Sequence, residues 1–378
     1  MDCRRCTPRP ERSFERERTW RRPSVFLTSN ELYSSPLLTN ISASWNDHPR
    51  DLFLMINHFR RQITQPIIGV GHSMGGCHLV RLSIMHPRLF TTLILMDPVI
   101  QRLPSRQGNF GPAKASTVRR DIWPNRKAAE ASFKRSKFYQ TWDSRVLDLW
   151  IKYGLRDLPT LLHPKPTAAS NTLPPLNADP SSATVSPDKE TETEVTLTTT
   201  KHQEVFTFMR PNFPSPTNSN PEEHPNPATH PDVDVEAGPN APFYRPEPLA
   251  TFRQLPYLRP SVLYIFGDQS FLSAPLLKAD KMAQTGVGPG GSGGVKKGRV
   301  HEVTFKGIGH LIPMEVVGQT ADACQEWLAL ELANWKSRKA ETALELAKVP
   351  KEQRGRMGEE FLTVMKSDWM GVPEKSKL

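Results

Sequence analysis

The sequence predicts an α/β chain built on a mostly parallel sheet, and three observations carry that expectation. Short apolar, β-branched runs of buried-strand length recur at Ile67–Val70, Leu93–Met96, Val262–Phe266 and Val303–Phe305, with helical patterns between them. The first run passes through Gly71-His72-Ser73-Met74-Gly75 into a helix predicted over Cys77–His86, the setting that a G-x-S-x-G turn requires. The strand, helix and next strand together span the length of a right-handed crossover, which brings the ends of both strands to one edge of the sheet.

At 378 residues the chain has room for one α/β domain of ordinary size plus insertions. Its 36 prolines are nearly twice the average share and are unevenly placed, which points to loop insertions. No apolar run reaches the ~18 residues needed to span a bilayer. The four cysteines, Cys3, Cys6, Cys77 and Cys324, are too few and too scattered for a disulfide framework, and a reducing setting fits them. Cys3 and Cys6 have C-x-x-C spacing without a second ligand pair, so no metal is expected. The net charge of +10 comes without a nucleic-acid recognition motif, and nucleic acid is not expected as a partner.

Taken in order, residues 1–44 read as an Arg-rich arm with little periodicity, either disordered or misassigned sequence. Glu11, Glu15 and Glu17 argue against a transit peptide, which is acid-poor. The first part of the core covers residues 45–100. It opens with a helix capped by Asp47, whose Leu52, Met55, Ile56 and Phe59 share one face and are expected to pack on the sheet. Residues 101–250 read as an insertion above the sheet edge, a lid with apolar helical stretches at Arg126–Tyr153 and around Val195–Phe208. Phe133, Phe138, Trp142, Leu149 and Trp150 supply its apolar character. Residues 164–192 and 211–247, rich in Pro, Ser, Thr and Asn, read as disordered loops. The second part of the core covers residues 251–348, with a helix from Ala274, a glycine-rich stretch at 286–297 read as a flexible surface loop, and a long helix from Thr320 that offers Trp327, Leu328, Leu330 and Leu332 for docking. Residues 349–378 form a polar tail.

The chemistry follows from the tight turn. Gly71 and Gly75 are expected to remove Cβ atoms that would collide, so that Ser73 projects its Oγ from the sheet edge with the Met74 amide behind it as an oxyanion donor. A serine hydroxyl is a weak nucleophile, so acyl transfer needs a base within reach and a third group to hold that base. His310, in Gly307-Ile308-Gly309-His310 just past the last strand, is the expected base. His72 is a poorer one, because the residue before such a serine points into the turn. Two acids stand at strand ends on the correct edge, Asp97 and Asp268. The usual slot, three residues past the strand-ending glycine, holds Ser270, and the reading leans to Asp97 with Asp268 as the alternative.

With these motifs quoted, Trp45–Ile100 (H-P-R-D-L-F-L-M-I-N-H-F-R and P-I-I-G-V-G-H-S-M-G-G), residues 195–206 (V-T-L-T-T-T-K-H-Q-E-V-F), 262–267 (V-L-Y-I-F-G) and 307–315 (G-I-G-H-L-I-P-M-E) resemble the filamentous-fungal α/β-hydrolases. That family includes host-selective-toxin biosynthesis proteins and relatives of the yeast peroxisomal lipase. The resemblance implies an α/β-hydrolase fold and a serine hydrolase acting on an ester or thioester of an apolar acyl group, in secondary-metabolite or toxin biosynthesis. It implies neither a metal nor an organic cofactor. It also implies several strands before the nucleophile strand and a His-Gly oxyanion loop after one of them. This chain has 72 residues before Ser73, mostly without strand pattern, and no His-Gly dipeptide. The fold is therefore expected to be truncated at its N-terminal strands, with half the oxyanion hole missing at a cost of about 10²-fold or more in rate. A second reading follows from this departure, a non-catalytic remnant of the fold acting as a binding protein.

The chain ends in Ser376-Lys377-Leu378, the tripeptide read by the peroxisomal import receptor. A location in the peroxisomal matrix is expected.

Overall fold

The structure, a computed structural model, describes residues 44–102, 109–164, 193–213, 232–233 and 242–367. The N-terminal arm with Cys3 and Cys6, most of the two Pro-rich stretches, and Ser376–Leu378 lie outside the described residues, as do the expectations placed on them.

Four strands, Ile68–His72, Thr92–Met96, Ser261–Gly267 and Val300–Phe305, form one all-parallel sheet in that order. The two central strands are buried along their whole length, which is why they read as continuous apolar runs. Their side chains alternate between two cores. Leu93, Leu95, Val262, Tyr264 and Phe266 face the helix Met74–Met85 through Cys77 and Val80, while Ile94, Met96, Leu263 and Ile265 meet Ala323 and Trp327 of the helix Val317–Ala347. Trp327 Nε1 donates to Thr92 Oγ1 at 2.8 Å, and the buried Glu331 accepts from Ser261 Oγ at 2.6 Å and from Arg299 at 2.8 Å. These bonds fix the long helix across the strand starts. Leu330 of that helix faces outward, contrary to the docking face expected for it.

Several elements depart from expectation for local reasons. The first helix, Asp47–His58, has Asn46 and not Asp47 at its cap, and the Asp47 carboxylate instead accepts from the Ser44 amide at 3.0 Å. Its apolar face lies on the helix Met74–Met85, not directly on the sheet. The second helix starts at Met74, directly after the serine. The glycine-rich stretch is tied down: the amides of Gly286, Gly288 and Ser292 donate to the carbonyls of Leu255, Pro256 and Leu258. It is not a free loop, because its glycines let backbone approach backbone.

Residues 109–213 contain the helices Phe110–Val118, Arg126–Arg135, Lys137–Gln140, Ser144–Tyr153 and Lys201–Phe208 with a small antiparallel sheet of Ile122–Trp123, Val195–Leu197 and Leu155–Asp157. Trp123, Ala129, Phe133, Leu155, Val195 and Leu197 give this segment a core of its own. Phe138 and Leu149 are exposed, and Val195 begins a strand. Across the ends of the stretch 211–247 read as loop, Arg210–Pro211 pairs with Phe243–Tyr244, and the helix Glu247–Phe252 follows.

No strand precedes Ile68–His72 among the described residues, so its outer edge is unpaired there and Val70 is 55% exposed. No helix among the described residues is long and apolar enough to cross a membrane.

Candidate active site

Ser73 sits between strand and helix at φ 54° and ψ −120°, a conformation that L-residues rarely adopt. Gly71 makes the turn possible, since a Cβ there would stand 2.7 Å from the Gly75 carbonyl. The second glycine that packing requires is Gly76, where a Cβ would meet Pro98 at 2.7 Å; Gly75 faces open space, which corrects the role expected for it. Two backbone bonds pin the bend to the neighbouring strand end: Ser73 N–H donates to Met96 O at 2.9 Å, and Val99 N–H donates to Ser73 O at 3.1 Å.

The loop carrying His310 passes directly over the end of the third strand. A Cβ at Gly267 would lie 2.3 Å from Gly309 O and 2.4 Å from Ile308 O, so only glycine admits this crossing. Gln269 N–H donates to Ile308 O at 2.9 Å, and Gly307, at φ 75°, donates its amide to Asp268 Oδ1 at 2.7 Å. Asp268 thus holds the loop and does not contact the imidazole.

The imidazole lies between two partners, with Nε2 2.8 Å from Ser73 Oγ and Nδ1 2.6 Å from Asp97 Oδ2. With a carboxylate as its partner Nδ1 carries the proton, so Nε2 accepts from the Ser73 hydroxyl. Asp97, at φ 42°, is fully buried. Its Oδ2 also accepts from the Ser270 hydroxyl and its Oδ1 from the Ser273 hydroxyl. Behind this turn the buried Lys281 ammonium donates to Leu272 O at 3.1 Å and Leu277 O at 3.3 Å. Burial lowers its pKa to about 8, while the nearby Asp97 charge pulls the other way.

The structure therefore brings Ser73, His310 and Asp97 together and leaves Asp268 apart. Met74 follows Ser73 as the first residue of its helix, where amides have no carbonyl a turn earlier to bond. His72 does not point into the turn. Its ring lies 4.8 Å from that of His310, and its Nε2 donates to the His310 carbonyl at 2.7 Å. Ser273, Lys281 and this contact escaped sequence reasoning. Ser270 was marked by its position, but its service to Asp97 depends on two strand ends meeting in space. An arrangement of this kind can take the proton from a hydroxyl as it attacks and balance the resulting imidazolium with a buried carboxylate.

Residues 35–146 match the family described as serine aminopeptidase, S33. The chain is 42% identical over 308 residues to the type I acyl-CoA thioesterase mpaH of Penicillium roqueforti (strain FM164), which covers 80% of this chain and 67% of that protein. The chain belongs to the fungal α/β-hydrolase family. The Abhydrolase domain-containing protein AFT2-1 of Alternaria alternata is 27% identical over 302 residues, 79% of this α/β-hydrolase and 98% of that protein. Among solved structures, the peroxisomal α/β-hydrolase Lpx1 of Saccharomyces cerevisiae has a TM-score of 0.48 at 14% identity, over 85% of this chain and 66% of that one. The chain spans 65–67%, about two thirds, of the length of the thioesterases it matches.

Proposed function

We propose that this α/β-hydrolase cleaves an ester or thioester of an apolar acyl group. Ser73 is the nucleophile, His310 the general base and then acid, Asp97 the orienting carboxylate, and the Met74 amide an oxyanion donor. The observation that carries the reading is the hydrogen-bonded run from Ser73 through His310 to Asp97, at 2.8 and 2.6 Å. Ser73 Oγ attacks the acyl carbon as its proton passes to His310 Nε2. The tetrahedral intermediate collapses to an acyl-serine, and the imidazolium returns the proton to the departing alkoxide or thiolate. Water repeats the sequence and frees the acid.

A thioester is favoured by the 42% identity to a protein named as an acyl-CoA thioesterase. An apolar acyl group suits the half-exposed Phe271, whose ring is 6.0 Å from that of His310. It also suits the aromatic group Phe138, Tyr139 and Trp142, which adjoins the His310 segment where Asp143 N–H donates to Met314 O at 2.8 Å. We assign Ser376-Lys377-Leu378 the role of import signal, with the peroxisomal import receptor as partner, so that the enzyme works in the peroxisomal matrix in secondary metabolism.

The test is labelling by a fluorophosphonate probe, with the adduct mapped to Ser73 and absent from Ser73→Ala, followed by thiol release from acyl-CoAs of increasing chain length. Wild-type protein that takes up no probe overturns the reading. A fluorescent protein fused ahead of the chain, with and without the final tripeptide, tests the address. One observation favours a second reading, a binding protein without turnover: the strand before Ser73 has an unpaired outer edge among the described residues. The same labelling separates the two.

A further inference from the structure

We infer that His72 is a positioning residue that holds the main chain of His310, and through it the imidazole, over Ser73. The inference rests on the reading of Ser73 and His310 given above. His72 Nε2 donates to the His310 carbonyl at 2.7 Å, and the two rings lie 4.8 Å apart at 37°. The donor and the group it holds have different stiffness. His72 is the last residue of the strand Ile68–His72, in parallel register with Met96, so its backbone is part of the sheet. His310 ends a loop with glycine at 307 and 309, and a Cβ at either would touch nothing, so no side chain at those two positions anchors the loop. Among the described residues three bonds hold its main chain: Asp268 accepts from the Gly307 amide, Gln269 donates to Ile308 O, and His72 donates to His310 O. Of these, the bond from His72 is the one at the residue whose ring must stay within 2.8 Å of Ser73 Oγ.

The residue type matters as well as the reach. Burial, with the neighbouring His310 adding to it, lowers the His72 pKa to about 4, so the ring is neutral near neutral pH. A neutral donor holds the carbonyl without placing a second positive charge beside the imidazolium that forms on His310 during attack. A lysine of equal reach would hold the carbonyl and oppose that charge.

Two variants test the inference. His72→Phe keeps the ring and loses the donor, whereas His72→Gln keeps an uncharged donor of similar reach. The readouts are the rate of fluorophosphonate labelling, kcat and KM for an acyl thioester, and the far-downfield proton resonance of His310 Nδ1–H bound to Asp97. His72→Phe is expected to lower the labelling rate and kcat by about 10²-fold with KM held within about twofold, and to broaden the resonance. His72→Gln is expected to recover at least about tenfold of that loss. If the phenylalanine variant does not fold, His72→Met, with the length of glutamine and no donor, takes its place. A folded donor-less variant that labels as fast as wild type overturns the inference alone, as does a glutamine variant no better than it. Wild-type protein that does not label at Ser73 overturns the parent reading, and this one with it.

Discussion

Ser270 donates its hydroxyl proton to Oδ2 of Asp97, the same oxygen that receives Nδ1–H of His310. With Ser273 on Oδ1, the buried carboxylate has hydroxyl donors on both oxygens in addition to the imidazole. Removing one hydroxyl leaves a buried charge short of a partner, which costs about 1–3 kcal/mol. Ser270→Ala and Ser273→Ala are each expected to lower stability by that order and kcat by about tenfold, with the double variant worse than either. Urea titrations alongside steady-state kinetics measure both effects.

The two acids that the sequence left open separate by substitution. Asp97→Asn removes the charge that fixes the His310 tautomer, and a loss of about 10⁴-fold in kcat is expected. Asp268→Asn retains a side-chain oxygen for the Gly307 amide and is expected to stay within about threefold of wild type. The reverse ranking would move the acid to the other strand end.

Glycines 267 and 75 make an opposed pair. Gly267→Ala drives a methyl into the carbonyls of Ile308 and Gly309, so the His310 loop must lift, and activity should fall by about 10²-fold or more. Gly75→Ala meets open space in the first turn of a helix and is expected to fold with equal or slightly higher stability, by up to about 1 kcal/mol. Thermal melts and labelling rates on both variants check the contrast.

Acid should destabilise the fold through two histidines. Burial is the main cause that lowers the pKa of His72 to about 4 and of His78 to about 3, from an ordinary 6.5. Below pH 6.5 the unfolded chain therefore binds protons that the folded one refuses. Their share of stability is complete above 6.5 and declines as the pH falls, by up to about 2.5 kcal/mol per histidine at pH 4.5. His78→Phe should flatten the slope of unfolding free energy between pH 6.5 and 4.5, measured by denaturant titration. An unchanged slope would show that His78 titrates normally in the fold.

The two central strands were legible because burial on both faces leaves them no solvent-facing position, so Leu93–Met96 and Val262–Phe266 read as unbroken apolar runs. Ser73 and His310 were legible because a glycine bend and a loop after the last strand are local features. Between the two acids the sequence only leans to Asp97, since what separates them is the contact with His310 Nδ1, made by a residue 213 positions away in the chain. The stretch around Gly286–Gly294 was misread because its composition is that of a linker, whereas its amides are spent on the carbonyls of residues 255–258. Leu330 was misassigned because it lies between the buried Trp327 and Glu331 in the chain but on the outward side of the helix Val317–Ala347, and an apolar residue type does not by itself say which side a position takes.

The left-handed backbone at Ser73 sets stability and turnover against each other at one position. Ser73→Gly keeps the bend and discards both the oxygen proposed as nucleophile and the Cβ that dislikes φ 54°, so the variant should melt at a higher temperature than the wild-type protein. A lineage released from the need for hydrolysis would thus find the loss of its serine thermodynamically downhill.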